Sequence, residues 1–331
     1  MSNNSYFNRD ISWLSFNERV LQEAEDRSNP LIERLRFLGI HSKNMDEFFR
    51  VRYSYIRRLR LSKDEGLDDD LEGYTPGDLL SKLSTIVTEQ QQRSQNIYDA
   101  LKTAFKQFNI EIINEKQLTA NQAAFVRHLY RDKISPALTN LMINQTTSFP
   151  FLRDKSIYLA IKLTKGANEQ HSIIEVPYSV SGRFVRLPKY GKQYVMYMDD
   201  VLRHNLDSIF HTIKYDHIEA HTLKITRDAE LSLDDDVSRS FIEKIQRGLR
   251  NRREGDLVRF VYDKNIADSS LKILVDGLEV SALDTLIPGG RYHNKKDLMQ
   301  FPNMGNPDLE FNQHKHVPHP EIDVDRSIIK V

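Results

Sequence analysis

The feature that most limits what this chain can fold into is a change of apolar spacing near Asn109. Before that point apolar residues recur every three or four positions; after it they alternate, or run in short β-branched and aromatic stretches. A helix-period pattern does not settle as a strand, nor the reverse, so the chain must divide into a helical part and a part that contains sheet. Its 331 residues also exceed what one hydrophobic core usually serves, which makes two domains the default.

In the helical part, Trp13, Phe16, Val20, Leu21 and Ala24 mark one face of a helix over Ser12–Asp26. Asn29-Pro30 stops that helix and restarts another, which runs from Leu31 to about Leu61. Its stripe is Leu35, Leu38, Met45, Phe48, Phe49, Arg52, Ile56 and Leu59, with Gly39 and Ser42-Lys43-Asn44 suggesting a bend or break. An acidic stretch, 63–73, reads as an exposed loop. Thr75-Pro76 then caps and opens a third helix that reaches about Phe108, with Leu79, Leu83, Ile86, Val87, Ile97, Leu101, Ala104 and Phe105 on its apolar face. Three long amphipathic helices with two connections imply an antiparallel three-helix bundle over residues 1–109.

Beyond it, strands are expected at Ile110–Asn114, Ile157–Leu163, Ile173–Val176, Phe184–Leu187, Tyr194–Met198, Ala220–Thr226 and Val258–Tyr262. Helices are expected within Thr119–Ile143 and at Asp199–His211, Val237–Arg252 and Lys295–Phe301. This order gives a mixed α+β domain over 110–303. Residues 304–331 read as a Pro- and His-rich connector, and the apolar Ile328-Ile329-Lys330-Val331 as the start of a further domain.

Lys+Arg and Asp+Glu balance at 47 each, so there is no global pull toward nucleic acid and any anion site must come from local charge. The absence of cysteine excludes disulfides, zinc thiolates and a thiol nucleophile. No leader-like or membrane-spanning apolar run stands out, so a cytoplasmic protein is expected, with association at a membrane left open.

Arginines crowd the second helix: Arg34, Arg36, Arg50, Arg52, Arg57, Arg58 and Arg60. A solvated, ion-paired face is the ordinary explanation. Arg52 is different, because it falls on the apolar stripe and there needs a phosphate or a carboxylate. The Asn44 amide can donate and accept, which suits a purine edge, though an asparagine there also suits a helix cap. Ile287-Pro288-Gly289-Gly290-Arg291-Tyr292-His293-Asn294 could offer backbone N–H groups to an anion or simply turn the chain; it is not a P-loop. The histidines of the connector, His314, His316 and His319, give only a weak metal signal. A phosphohistidine of the phospholipase-D type needs His-x-Lys with Asp five residues after the Lys. His41-Ser42-Lys43 has Phe48 at that place and His293-Asn294-Lys295 has Gln300, so the chain carries no catalytic constellation.

Several blocks resemble bacterial polyphosphate kinases of the phosphohistidine type. They are the stretches Phe7–Ala24 and Asn29–Ile40, and Ser42-Lys43-Asn44-Met45-Asp46-Glu47-Phe48-Phe49-Arg50-Val51-Arg52. Thr226-Arg227-Asp228-Ala229-Glu230, Ile287–Asn294 and Phe301-Pro302-Asn303 extend the resemblance. It implies an amino-terminal helical domain and a head domain that mediates homodimerisation, followed in the family by two phospholipase-D-like domains. The whole enzyme would move the terminal phosphate of ATP to and from inorganic polyphosphate, with magnesium, through a phosphorylated histidine outside this sequence. Asn44 matches the family's ATP-contacting asparagine, although Lys43 replaces a common asparagine beside it. Arg50 and Arg52 match family positions with a phosphate-binding or structural role. The resemblance implies that this chain alone is inactive, holds no metal and supplies part of the ATP site and the dimer contacts. The alternative is a stand-alone dimerisation or regulatory module.

Overall fold

The structure, a computed structural model, describes residues 7–61, 71–143, 149–229, 255–281 and 285–312. The expected helix Val237–Arg252, most of the acidic loop and the connector histidines lie outside the described residues.

Helix α1 spans Arg9–Glu25, capped by the Asn8 side chain, which accepts from the N–H groups of Asp10 and Ile11. Its buried face is Asp10, Leu14, Asn17, Leu21 and Ala24, so the face read from apolar spacing is rotated. Phe16 is exposed instead. The reason is that Asp10 and Asn17 are buried by polar bonds to the next helix, which a count of apolar residues cannot register.

Helix α2 spans Leu31–Phe48, passes through a π-helical turn at Phe49–Tyr53, and continues as α3, Ser54–Leu61. The expected bend at Gly39 and Ser42-Lys43-Asn44 is absent; all four lie inside α2 and the irregularity falls later. Gly39 is required by packing. A Cβ there would lie 2.7 Å from both Cγ and the backbone nitrogen of Met299. Gly39→Ala should therefore destabilise the chain by about 1–3 kcal/mol, the overpacking cost outweighing its helix propensity of ~1 kcal/mol. A thermal melt showing an unchanged or stabilised variant would contradict this packing.

Helix α4, Pro76–Ala104, is capped by Thr75 with Pro76 in its first turn, as expected. It packs against α1, α2 and α3. The helices do not close a core by themselves: Leu35, Tyr98 and Leu101 share one cluster with Ile110, Tyr197, Tyr292 and Phe301 from the later chain. What stands is a mixed helical and sheet architecture, not a self-contained bundle.

Two sheets follow. The smaller has the order β1 (Ile110–Ile113), β6 (Lys192–Tyr197), β5 (Phe184–Tyr190), with β1 parallel to β6. The larger has the order β2 (Asn140–Ile143), β4 (Asn168–Glu175), β3 (Tyr158–Lys165), β7 (His217–Arg227), β8 (Leu257–Asp263), β9 (Thr285–Gly289). Its neighbours are antiparallel except β8 and β9.

Three expectations are corrected here. The Thr119–Ile143 region is helical only through Ala120–Leu129 and the short turns to Ala137, and then becomes strand β2. Part of the supposed turn at Ile287–Asn294 is strand β9, which pairs with β8 through Ile287 and Val261. The expected helix at Lys295–Phe301 is a 3-10 turn, Lys296–Gln300. In each case short elements borrow their stability from neighbours, so local spacing is a poor guide.

Candidate functional site

Of the arginines crowded along α2, the π-helical turn and α3, at least Arg34, Arg50, Arg52 and Arg58 have protein partners. The Arg34 Nε donates to the Ala24 carbonyl at 2.8 Å, closing the end of α1. Arg50 faces Asp154 and Glu47 at 3.5 and 3.6 Å, and Arg58 pairs with Asp228. Arg52 finds its anion in a carboxylate: Nε and Nη2 reach the two oxygens of buried Asp10 at 2.7 and 3.0 Å. A forked arginine pair of this kind fixes direction as well as distance, so it locks α1 against the π-helical turn.

Asn44 lies inside α2, not between helices, so it does not cap one. It is half-buried and donates from Nδ2 to Asn17 Oδ1 at 3.1 Å. Asn17 in turn donates to the His41 carbonyl at 3.3 Å. Asn44 Oδ1 has no hydrogen-bond partner among the described residues. One helical turn away on each helix, Trp13 stacks on Phe48 with ring centroids 5.0 Å apart. The α1–α2 seam thus offers an anchored amide with a free acceptor beside an aromatic pair.

A second feature occupies a different face of α2. Asp46 accepts from Lys224 Nζ of β7 through both oxygens, each at 2.6 Å, and pairs with Arg259 of β8. Lys224 makes its third bond to Asn294 Oδ1 at 3.0 Å. Arg259 also donates to Thr226 Oγ1 and lies over the Phe49 ring, 4.5 Å from its centroid. Burial pushes the Asp46 carboxyl up, but Lys224 and Arg259 pull it further down, and it stays ionised. Burial brings Lys224 down to about 8, against the pull of Asp46.

Sequence reading missed this seam. The available signal was a lysine between Leu223 and Ile225 and an arginine between Val258 and Phe260, charges set inside apolar strands. Beside it is a cavity lined by His41, Ser42, Ser94, His293 and Lys295 among others. Desolvation lowers His41 to about 4 and His293 to about 3, so both are neutral near pH 7. The structure does not bring Asn44, Arg50 or Arg52 into that cavity. Among the described residues no group of three or more His, Asp or Glu side chains could hold a metal ion, and no helix is long and apolar enough to cross a membrane.

The fold and these features define a mixed helical and sheet protein with a cationic seam between α2 and the large sheet and an anchored amide on the α1–α2 seam. Two family models match it in succession: "Polyphosphate kinase N-terminal domain" over residues 6–113 and "Polyphosphate kinase middle domain" over residues 121–301. The chain belongs to the polyphosphate kinase family. It is 38% identical over 310 residues to polyphosphate kinase of Escherichia coli strain K12, covering 92% of this chain and 44% of that protein. The Vibrio cholerae polyphosphate kinase is also 38% identical over 310 residues. The crystal structure of polyphosphate kinase from Porphyromonas gingivalis superposes with a TM-score of 0.79 at 26% identity, over 97% of this chain and 44% of that one. The chain therefore spans less than half the length of the relatives it matches.

Proposed function

We propose that this chain is the nucleotide-facing and dimer-forming part of a polyphosphate kinase whose complete form transfers the terminal phosphate of ATP to inorganic polyphosphate, reversibly, through a phosphohistidine. The observation that carries the reading is the pair of family matches, which run in succession along the chain. In this reading residues 1–109 are the helical domain, 110–303 the head domain through which two copies pair, and 304–331 the lead into the first catalytic domain. The residues described here do not fit magnesium, since the seam is cationic and no carboxylate cluster accompanies it. When bound, magnesium would screen phosphate charge, a task left to residues beyond this sequence.

Asn44 would read the base. Its anchoring by Asn17 fixes the amide and leaves Oδ1 to accept from an exocyclic amine. Arg50 and Arg52 would hold the site's walls through Asp154 and Asp10 instead of touching phosphate. In the complete enzyme, Asn44→Ala should raise the KM for ATP between a few-fold and about a hundredfold, from the loss of about 0.5–3 kcal/mol of hydrogen bonding. The maximal rate should fall less, because base contacts are alike in the ground and transition states. Steady-state kinetics with an unchanged KM and a lowered melting temperature would remove Asn44 from the site.

A further inference from the structure

The ion pairs of Asp46 leave part of the cationic seam uncommitted. All three Lys224 bonds and most of the Arg259 donors are spent within the protein. The same cavity is also lined by Lys295 and Ser94, only 5% and 4% exposed, and by Ser42 and Gln91. Among the described residues, neither the Lys295 ammonium nor the Ser94 hydroxyl has a hydrogen-bond partner. Burial brings Lys295 down to about 8, against the pull of Asp99. Neither polar atom is sealed inside the protein; both face the open cavity, where an anion can accept from them.

Charge and size narrow the ligand. Three cations, Lys224, Arg259 and Lys295, line the cavity against one carboxylate, Asp46, while His41 and His293 are neutral. The space amounts to about 40 Å³ and opens to solvent. That is room for roughly three waters, comparable to one tetrahedral oxyanion and far less than a nucleotide. The available donors, an ammonium, hydroxyls and a side-chain amide, suit oxygen atoms and not a soft or apolar guest.

We propose that the cavity between α2, α4 and strands β7 and β8 binds one phosphate group, with Lys295, Ser94 and Gln91 donating to its oxygens and Lys224 and Arg259 supplying the field. The group could belong to free orthophosphate or to the end of a phosphate chain, which share this chemistry. The proposal does not depend on the role given to Asn44, which points elsewhere.

Isothermal titration calorimetry of the 331-residue chain with sodium orthophosphate, and separately with polyphosphate, tests it. Saturable binding at one site per chain is expected with at least one of the two, and which one binds identifies the source. Lys295→Met should weaken it about tenfold or more, and Ser94→Ala a few-fold, as expected for a charge-assisted and a neutral hydrogen bond. Lys272→Met, which removes an exposed lysine outside the cavity lining, should leave affinity unchanged and controls for net charge. If Lys295→Met fails to fold by circular dichroism, Ser94→Ala carries the comparison. No saturable heat with either anion, or affinity unaltered in both cavity variants, overturns the proposal.

Discussion

Replacing Asp46 with alanine should destabilise the chain by about 3–5 kcal/mol, the range for breaking a buried ion pair from one side. The carboxylate is the shared partner of Lys224 and Arg259, which are 3% and 4% exposed. Removing it leaves Lys224 and Arg259 facing each other without their shared counter-charge, and neither can swing out to solvent from the middle of a strand. It also cuts a tie between α2 and strands β7 and β8, although the π-helical turn and α3 keep the pairs Arg50–Asp154 and Arg58–Asp228. Urea denaturation of the variant should show the midpoint falling in proportion, with little change in slope.

The pH dependence follows from the sign of the shift. The Asp46 carboxyl titrates below its ordinary value in the fold, so its contribution is complete above the unfolded value of about 3.9 and is lost as pH falls through the lower, folded one. The wild type and Asp46→Ala should therefore differ most near neutrality and converge in acid. A loss below about 1 kcal/mol at pH 7 would mean that the seam is solvated and the pair is worth no more than a surface one.

Much of the architecture was legible in the sequence because long elements state their own period. Helix α4 declares its start through Thr75 and Pro76, and β3, β5, β6, β7 and β8 fall where β-branched and aromatic residues cluster. Elements that depend on partners were not legible. Strand β9 exists because β8 is beside it, and α2 runs straight through Gly39 because Met299 demands the missing side chain. The buried face of α1 was misread because two of its members, Asp10 and Asn17, are polar. The same blindness hid the seam. Asp46, Lys224 and Arg259 are separated by long stretches of chain, and nothing in local spacing pairs them. Residue type left Asn44 open between a purine contact and a helix cap, and the resemblance favoured the first; its anchoring by Asn17 emerged only from the packing of α1 on α2.

The central claim is that the chain supplies a nucleotide edge and a scaffold while the phosphoryl chemistry lies outside it. A phosphohistidine requires a ring nitrogen that a phosphoryl donor can reach. His41 lines the cavity but is 4% exposed, and its Nε2 is taken up by Gln90 Oε1 at 3.4 Å. His293 turns Nδ1 toward the Gly290 carbonyl at 2.9 Å, and its Nε2 is buried. Neither has the Asp that a phospholipase-D-type site places five residues after the Lys. Neither histidine is set up as the nucleophile, and without one the stabilisation that gives enzymes about a millionfold or more over solution would be missing, so turnover should sit at background. The direct measurement is incubation of the purified chain with ATP, magnesium and polyphosphate, followed by assays for ADP and for acid-labile phosphate on the protein. The account predicts neither product above a boiled control. Sustained ADP formation that depends on polyphosphate, or a phosphohistidine on this chain, would contradict it.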